Sequence, residues 1–169
     1  MTELATVDTP RKKEAATTSD VLLQLVTFSL LEEEFGLPIL DVREIIRMTE
    51  ITPVPNAPSF VEGVINLRGQ IIPVVDLRKR FNLNATEIDD DSRIVVVEIV
   101  GNILGLIVDK VSEVLRIPVD SISPPPGIVA NGIGSEYIRG ITNHLEKMLI
   151  LIDLKKVFDL QELETLCEI

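Results

Sequence analysis

Histidine and cysteine are nearly absent: the 169 residues hold one of each, His144 and Cys167, with no tryptophan and one tyrosine. So small a stock leaves no His/Cys cluster to hold a structural zinc or a metalloprotease ion. It offers no nucleophile-elbow pattern for His144 to serve, and Cys167 falls in an expected C-terminal helix, where a small buried hydrophobe is the simpler role. A lone cysteine cannot close an internal disulfide, which fits a reducing, cytoplasmic setting. No Gly-Lys-Ser/Thr phosphate loop occurs, and Gly132-Ile133-Gly134 follows a proline run where a dinucleotide fingerprint needs a strand. Asp89-Asp90-Asp91 lacks the alternation and central glycine of a calcium loop. With catalytic, metal and cofactor patterns missing, the chain reads as a binding module rather than an enzyme.

Positive charge is also scarce, 16 Lys and Arg against 27 Asp and Glu, for a net charge of −11. Nucleic-acid binding needs Lys and Arg to displace counterions from phosphates, and an anionic membrane surface makes the same demand. Neither partner is expected. Glu3 and Asp8 interrupt the N-terminus, so no signal peptide is read there. The one membrane-like run, Ile94–Val108, is too short to span a bilayer as a helix and is broken by Glu98 and Gly101-Asn102. It reads instead as two strands joined by a Gly-Asn turn.

What the chain does have is valine, isoleucine and leucine, which favour strands, and a long internal repeat. Phe60 to Asn66 and Val75 to Phe81 recur as Tyr137 to Asn143 and Ile152 to Phe158, at a constant separation of 77 residues (63 to 140, 66 to 143, 76 to 153, 81 to 158). Gly36, Val42, Glu44 and Arg47 recur as Gly105, Val111, Glu113 and Arg116, at a separation of 69. A unit this long is a duplicated small domain, not a solenoid repeat. Residues kept in both copies then serve the fold, and residues present in one copy are better candidates for function.

Residues 1–20 have no apolar period and read as a disordered tail. Two repeats follow, about 21–88 and 92–158, within one domain of 21–158, and 159–169 closes the chain as an amphipathic helix. Strands are expected at Leu25–Leu30, Phe35–Ile39, Gly63–Leu67, Gln70–Val75, Arg93–Val100, Ile103–Val108, Ile138–Thr142 and Met148–Ile152. The apolar spacing leaves Asp41–Met48 open between helix and strand. Arg68-Gly69 marks a tight turn, with Gly69 free to adopt a left-handed conformation. Asp76 and Asp153 each precede a short helical turn and read as N-caps. Many short strands punctuated by Gly and Pro point to an all-β fold of two small barrels, one per repeat.

The stretch from Gly63 through Asn66-Leu67-Arg68-Gly69 to Pro73-Val74-Val75-Asp76-Leu77-Arg78 resembles the signature of the bacterial chemotaxis coupling proteins, the CheW family. Phe35 to Ile45, Gly105 to Asp109 and Tyr137 to Gly140 fit that family in order, so the likeness runs from about Leu22 to Phe158. It implies two SH3-like five-stranded barrels around a shared apolar centre. It also implies a cytoplasmic, non-enzymatic adaptor without cofactor that joins the cytoplasmic tip of chemoreceptors to the regulatory domain of the histidine kinase CheA. A coupling protein of a related pathway, such as twitching motility, and a small-ligand sensor with a site between the barrels are the alternatives.

The partner-binding residues carried over by position are Val42, Glu44, Ile45, Gly63, Asn66 and Arg68. Gly63 and Asn66 recur as Gly140 and Asn143, which suits backbone geometry and a turn hydrogen bond. Val42 and Glu44 recur too, and stand between packing and contact. Arg68 corresponds to Leu145, so the fold does not require it, and it is expected in solvent or against a carboxylate such as Glu44.

Overall fold

A computed structural model of the chain describes residues 21–83, 87–124, 137–158 and 160–167. The expected tail at 1–20, Gly132-Ile133-Gly134 and the side chain of Cys167 lie outside the described residues. Among the described residues ten strands form two five-stranded sheets. In chain order they are β1 (Leu22–Leu30), β2 (Glu33–Pro38), β3 (Val42–Arg47), β4 (Val61–Leu67), β5 (Gln70–Asp76), β6 (Arg93–Ile99), β7 (Asn102–Val108), β8 (Lys110–Pro118), β9 (Ile138–His144) and β10 (Lys147–Ile152). Three short helices accompany them: α1 (Leu77–Arg80), α2 (Leu154–Val157) and α3 (Leu160–Cys167). The expected strands form, and the undecided Asp41–Met48 segment is mainly the strand β3. Strand β8 is new: its residues are mostly exposed, so no apolar run announces it.

The two sheets do not coincide with the two repeats. One has the order β8-β1-β2-β10-β9 and the other β3-β6-β7-β5-β4, so each takes strands from both halves of the chain. Exchanging equivalent strands turns one order into the other. The expectation of one barrel per repeat is therefore corrected to two interleaved ones, and the cause is local. A hairpin reversal needs at least about two loop residues. Only Asp109 separates β7 from β8, so the chain runs on out of one sheet and into the other. Between β2 and β3 a 3-10 turn at Ile39–Asp41, entered from Pro38, has the same effect.

Each sheet curls toward closure, and an isolated bridge joins its ends among the described residues. Thr52 exchanges two backbone hydrogen bonds with Val64 of β4, both 2.9 Å, and Ser123 exchanges two with Ile141 of β9, both 2.8 Å. Glycine makes this approach possible. A Cβ on Gly63, whose φ is +150°, would lie 2.1 Å from the Thr52 carbonyl oxygen. One on Gly140 would meet an Ile122 methyl at 2.5 Å and the Ser123 carbonyl oxygen at 2.9 Å.

Three apolar cores follow. Ile65, Ile72, Val74, Ile94, Val96 and Ile107 fill one sheet's concave side, and Leu25, Ile117, Leu149 and Leu151 fill the other's. The largest core lies between the sheets and draws on both. It takes in all five phenylalanines and the tyrosine, with ring centroids 5.9 Å apart for Phe28–Phe35, 6.1 Å for Phe35–Phe81 and 5.7 Å for Phe81–Tyr137. Arg80 lies 4.7 Å over the Phe60 ring and pairs with Glu162 at 2.9 Å, tying α3 to this centre.

Candidate partner-binding surface

Strands β3 and β4 are the two outer strands of one sheet, and the expected residues lie along this seam. Asn66 and Gly69 set the hairpin between β4 and β5: the Gly69 N–H donates to the Asn66 side-chain oxygen at 2.8 Å. Both central residues of the turn are left-handed, Arg68 at φ 51° and Gly69 at φ 87°, the geometry that matches the twist of the flanking strands. Gly69 adopts it freely, but Arg68 does so against the steric preference of an L-residue. The turn lifts the Arg68 side chain into solvent, 70% exposed, and swings it across the seam to Glu44 of β3. The guanidinium donates to both carboxylate oxygens of Glu44, the Nη1 bond being 3.1 Å. This bond from Arg68 holds the Glu44 carboxyl below its ordinary range, and Glu44 in turn raises Arg68.

Ile45, next to Glu44, is 39% exposed and faces outward. Val42 packs instead against the central core, and its counterpart Val111 does the same. Gly63 supports the seam through the Thr52 bridge. The structure thus brings Arg68 and Glu44 together across the seam, with Asn66 in the same turn, while Ile45 is exposed on the alternate face of β3 and Val42 and Gly63 shape the seam from behind.

The model of the CheW-like domain matches residues 24–162. The chain belongs to the CheW family. It is 36% identical over 155 residues to the chemotaxis protein CheW of Treponema pallidum, covering 89% of this chain and 91% of that protein. To the CheW of Rhizobium meliloti it is 37% identical over 141 residues, covering 83% and 90%. It also resembles the crystal structure of the scaffolding protein TtCheW from Thermoanaerobacter tengcongensis, with a TM-score of 0.77, 45% identity, and 84% and 91% of the two chains covered.

This CheW-family chain holds a second polar cluster that sequence reasoning missed. Arg78 is only 2% exposed. Its Nε and Nη2 donate to the two oxygens of Asp76 at 3.1 and 3.0 Å, and its Nη1 to Asp109 at 3.0 Å. The other Asp109 oxygen accepts the Leu31 N–H at 2.6 Å. Burial alone would lower the pKa of Arg78, but the bonds and charge of Asp76 and Asp109 outweigh it and raise it. Because Asp76 ends β5, Asp109 links β7 to β8 and Leu31 follows β1, the cluster clamps one sheet to the other. Arg78 corresponds to Lys155, so being present in one copy marks it as special without telling a clamp from a contact.

Proposed function

We infer that this chain is a non-enzymatic adaptor that couples the cytoplasmic tips of methyl-accepting chemoreceptors to the regulatory domain of a CheA-type histidine kinase. It works in the cytoplasm and is recruited to membrane receptor arrays through these partners. Family membership supports the role, and one feature of the seam carries the assignment of the surface. An arginine at a hairpin tip is held in a conformation that glycine or asparagine would adopt more easily, with its charge in solvent and its guanidinium on Glu44 across the seam. Arginine is enriched among interface hot spots. Among the described residues no helix is long and apolar enough to cross a membrane.

The test compares stability with coupling. Arg68→Ala should keep the melting temperature of the parent, because surface substitutions rarely disturb the core. It should weaken binding to kinase or receptor by roughly tenfold or more, as truncating a hot spot does. Arg68→Glu, which sets a like charge beside Glu44, should be worse. A variant that unfolds would make Arg68 structural, and one that couples normally would remove it from the interface.

A further inference from the structure

The two sheets differ at the end where their strands converge. In the β8-β1-β2-β10-β9 sheet all five strands contribute to a cavity of about 150 Å³ at the mouth of the curl. Thr27 comes from β1, Glu34 from β2, Glu113 and Leu115 from β8, His144 from β9 and Leu149 from β10. At the repeat separations of 69 and 77 residues these correspond to Val96, Ile103, Glu44, Ile46, Leu67 and Ile72. The strand registers agree, since Leu25 lies opposite Leu115 as Ile94 lies opposite Ile46. In the other sheet Val96 and Ile72 are buried and Ile46, Leu67 and Ile103 pack against them, so the equivalent mouth is plugged by apolar side chains. Here Thr27, Glu34 and His144 stand in place of Val96, Ile103 and Leu67, and the mouth is open.

The polar groups of this mouth are unevenly matched. The Thr27 hydroxyl is engaged with β8: it accepts from the Glu113 N–H at 3.0 Å and donates to the Glu113 carbonyl at 2.9 Å, where β1 and β8 shift register. This fixes the backbone that carries the Glu113 side chain. Glu113 is the counterpart of Glu44, but Leu145 stands where Arg68 would be, so no guanidinium reaches its carboxylate from that turn. Glu34 is half-buried and accepts from hydroxyls, Ser29 at 3.2 Å and Ser112 at 3.3 and 3.4 Å. Among the described residues no ion pair is made by Glu34, Glu113 or Lys147. Lys147 is exposed on the rim, opposite His144 in the β9–β10 hairpin. Two carboxylates against one ammonium leave the mouth negative, over a floor of Leu115, Met148 and Leu149.

We propose that this mouth binds a small aliphatic ammonium compound, with its ammonium between Glu34 and Glu113 and its hydrocarbon body on Leu115, Met148 and Leu149. Barrel mouths that combine an apolar lining with a few convergent polar groups are where small ligands settle. The ammonium supplies for Glu113 the positive charge that Arg68 supplies for Glu44. Its charge-assisted bonds to Glu34 are stronger than the hydroxyl bonds present without it. At the roughly 30 Å³ that a water molecule occupies in the liquid, the cavity holds about five atoms the size of carbon or nitrogen. A monoamine with a short alkyl chain fills that space, and a stretch of polypeptide does not enter it. The site lies within one sheet rather than between the two, and it does not depend on the adaptor reading.

The experiment follows methyl NMR signals of the full-length chain during titration with n-butylammonium chloride, n-butanol and sodium butanoate, and with ammonium chloride at the same ionic strength. The three butyl compounds share a chain and differ in charge. n-Butylammonium should shift the signals of Leu115, Met148 and Leu149, and the neutral and anionic compounds should bind about tenfold more weakly or worse. Ammonium chloride should leave these signals in place. From ethyl- to propyl- to n-butylammonium, affinity should rise about fourfold for each methylene that the floor covers. Glu34→Gln keeps an acceptor for the two serines and removes the charge, so it should weaken n-butylammonium about tenfold. Glu34→Ile combined with His144→Leu copies the plugged mouth and should abolish binding while keeping the parent's melting temperature. Equal binding of the butyl compounds, shifts confined to other residues, or no response would overturn the proposal. So would parental affinity in Glu34→Gln, which tests the site even where the double variant does not fold. No receptor or kinase enters this titration, so its failure leaves the adaptor reading standing. Failed coupling with intact n-butylammonium binding would count against the adaptor reading alone.

Discussion

Asp76 and Asp153 show how two residues at equivalent positions come to differ in weight. Both cap a short helix, accepting from the Arg78 N–H at 2.9 Å and the Lys155 N–H at 3.1 Å, as their place before a helical turn leads one to expect. Only Asp76 also neutralises a buried guanidinium. Asp153→Ala should therefore cost about 1 kcal/mol, the usual worth of an N-cap. Asp76→Ala should cost about 3–5 kcal/mol, since it breaks a buried pair and leaves Arg78 with one carboxylate fewer. Urea denaturation of the two variants checks this, and equal losses would show that the Arg78 cluster adds nothing. The caps were legible because they act between neighbours in sequence. The cluster was not, because Asp109 is 31 residues from Arg78 and meets it only after both sheets have formed.

Tight turns and close backbone contacts set the elements. The β6–β7 turn was expected at Gly101-Asn102, but its left-handed pair is Val100-Gly101, one residue earlier. Gly101 was the right signal. The shift of one residue is not legible in the sequence, because valine is a poor occupant of a positive φ. Val100→Asn should stabilise the fold by about 1 kcal/mol by relieving that conformation, read as a rise in melting temperature. A fall would show that the Val100 side chain supports the fold more than its backbone strains it. The closing bridges make an opposite case. Gly63→Ala places a Cβ against the Thr52 backbone, which cannot yield without breaking the bridge, whereas the nearest obstacle to Gly140→Ala is a movable methyl of Ile122. Gly63→Ala should therefore lower the melting temperature more than Gly140→Ala, and the reverse order would contradict the closure described here.

At the scale of the molecule, duplication and strand content were visible in the sequence, while the exchange of strands between the halves was not. A repeat says that two segments are alike; it does not say whether each pairs with itself or with its copy. That choice rests on the single residue Asp109 and the turn at Ile39–Asp41, which carry the chain across instead of reversing it. The consequence for function is that neither half can move as an independent unit. The Arg68 seam belongs to a sheet that contains β6 and β7 from the second half, and the Asp76–Arg78–Asp109 clamp joins that sheet to its neighbour. Such a body suits a scaffold that holds two partners in a fixed relation. The decisive measurement reconstitutes chemoreceptor-containing membranes and the histidine kinase from the cell of origin, and records the rate of kinase autophosphorylation with and without this chain. The account predicts that receptors govern the rate only when the chain is present and that Arg68→Ala removes this control. Receptor control that persists without the chain, or never appears with it, would contradict the account.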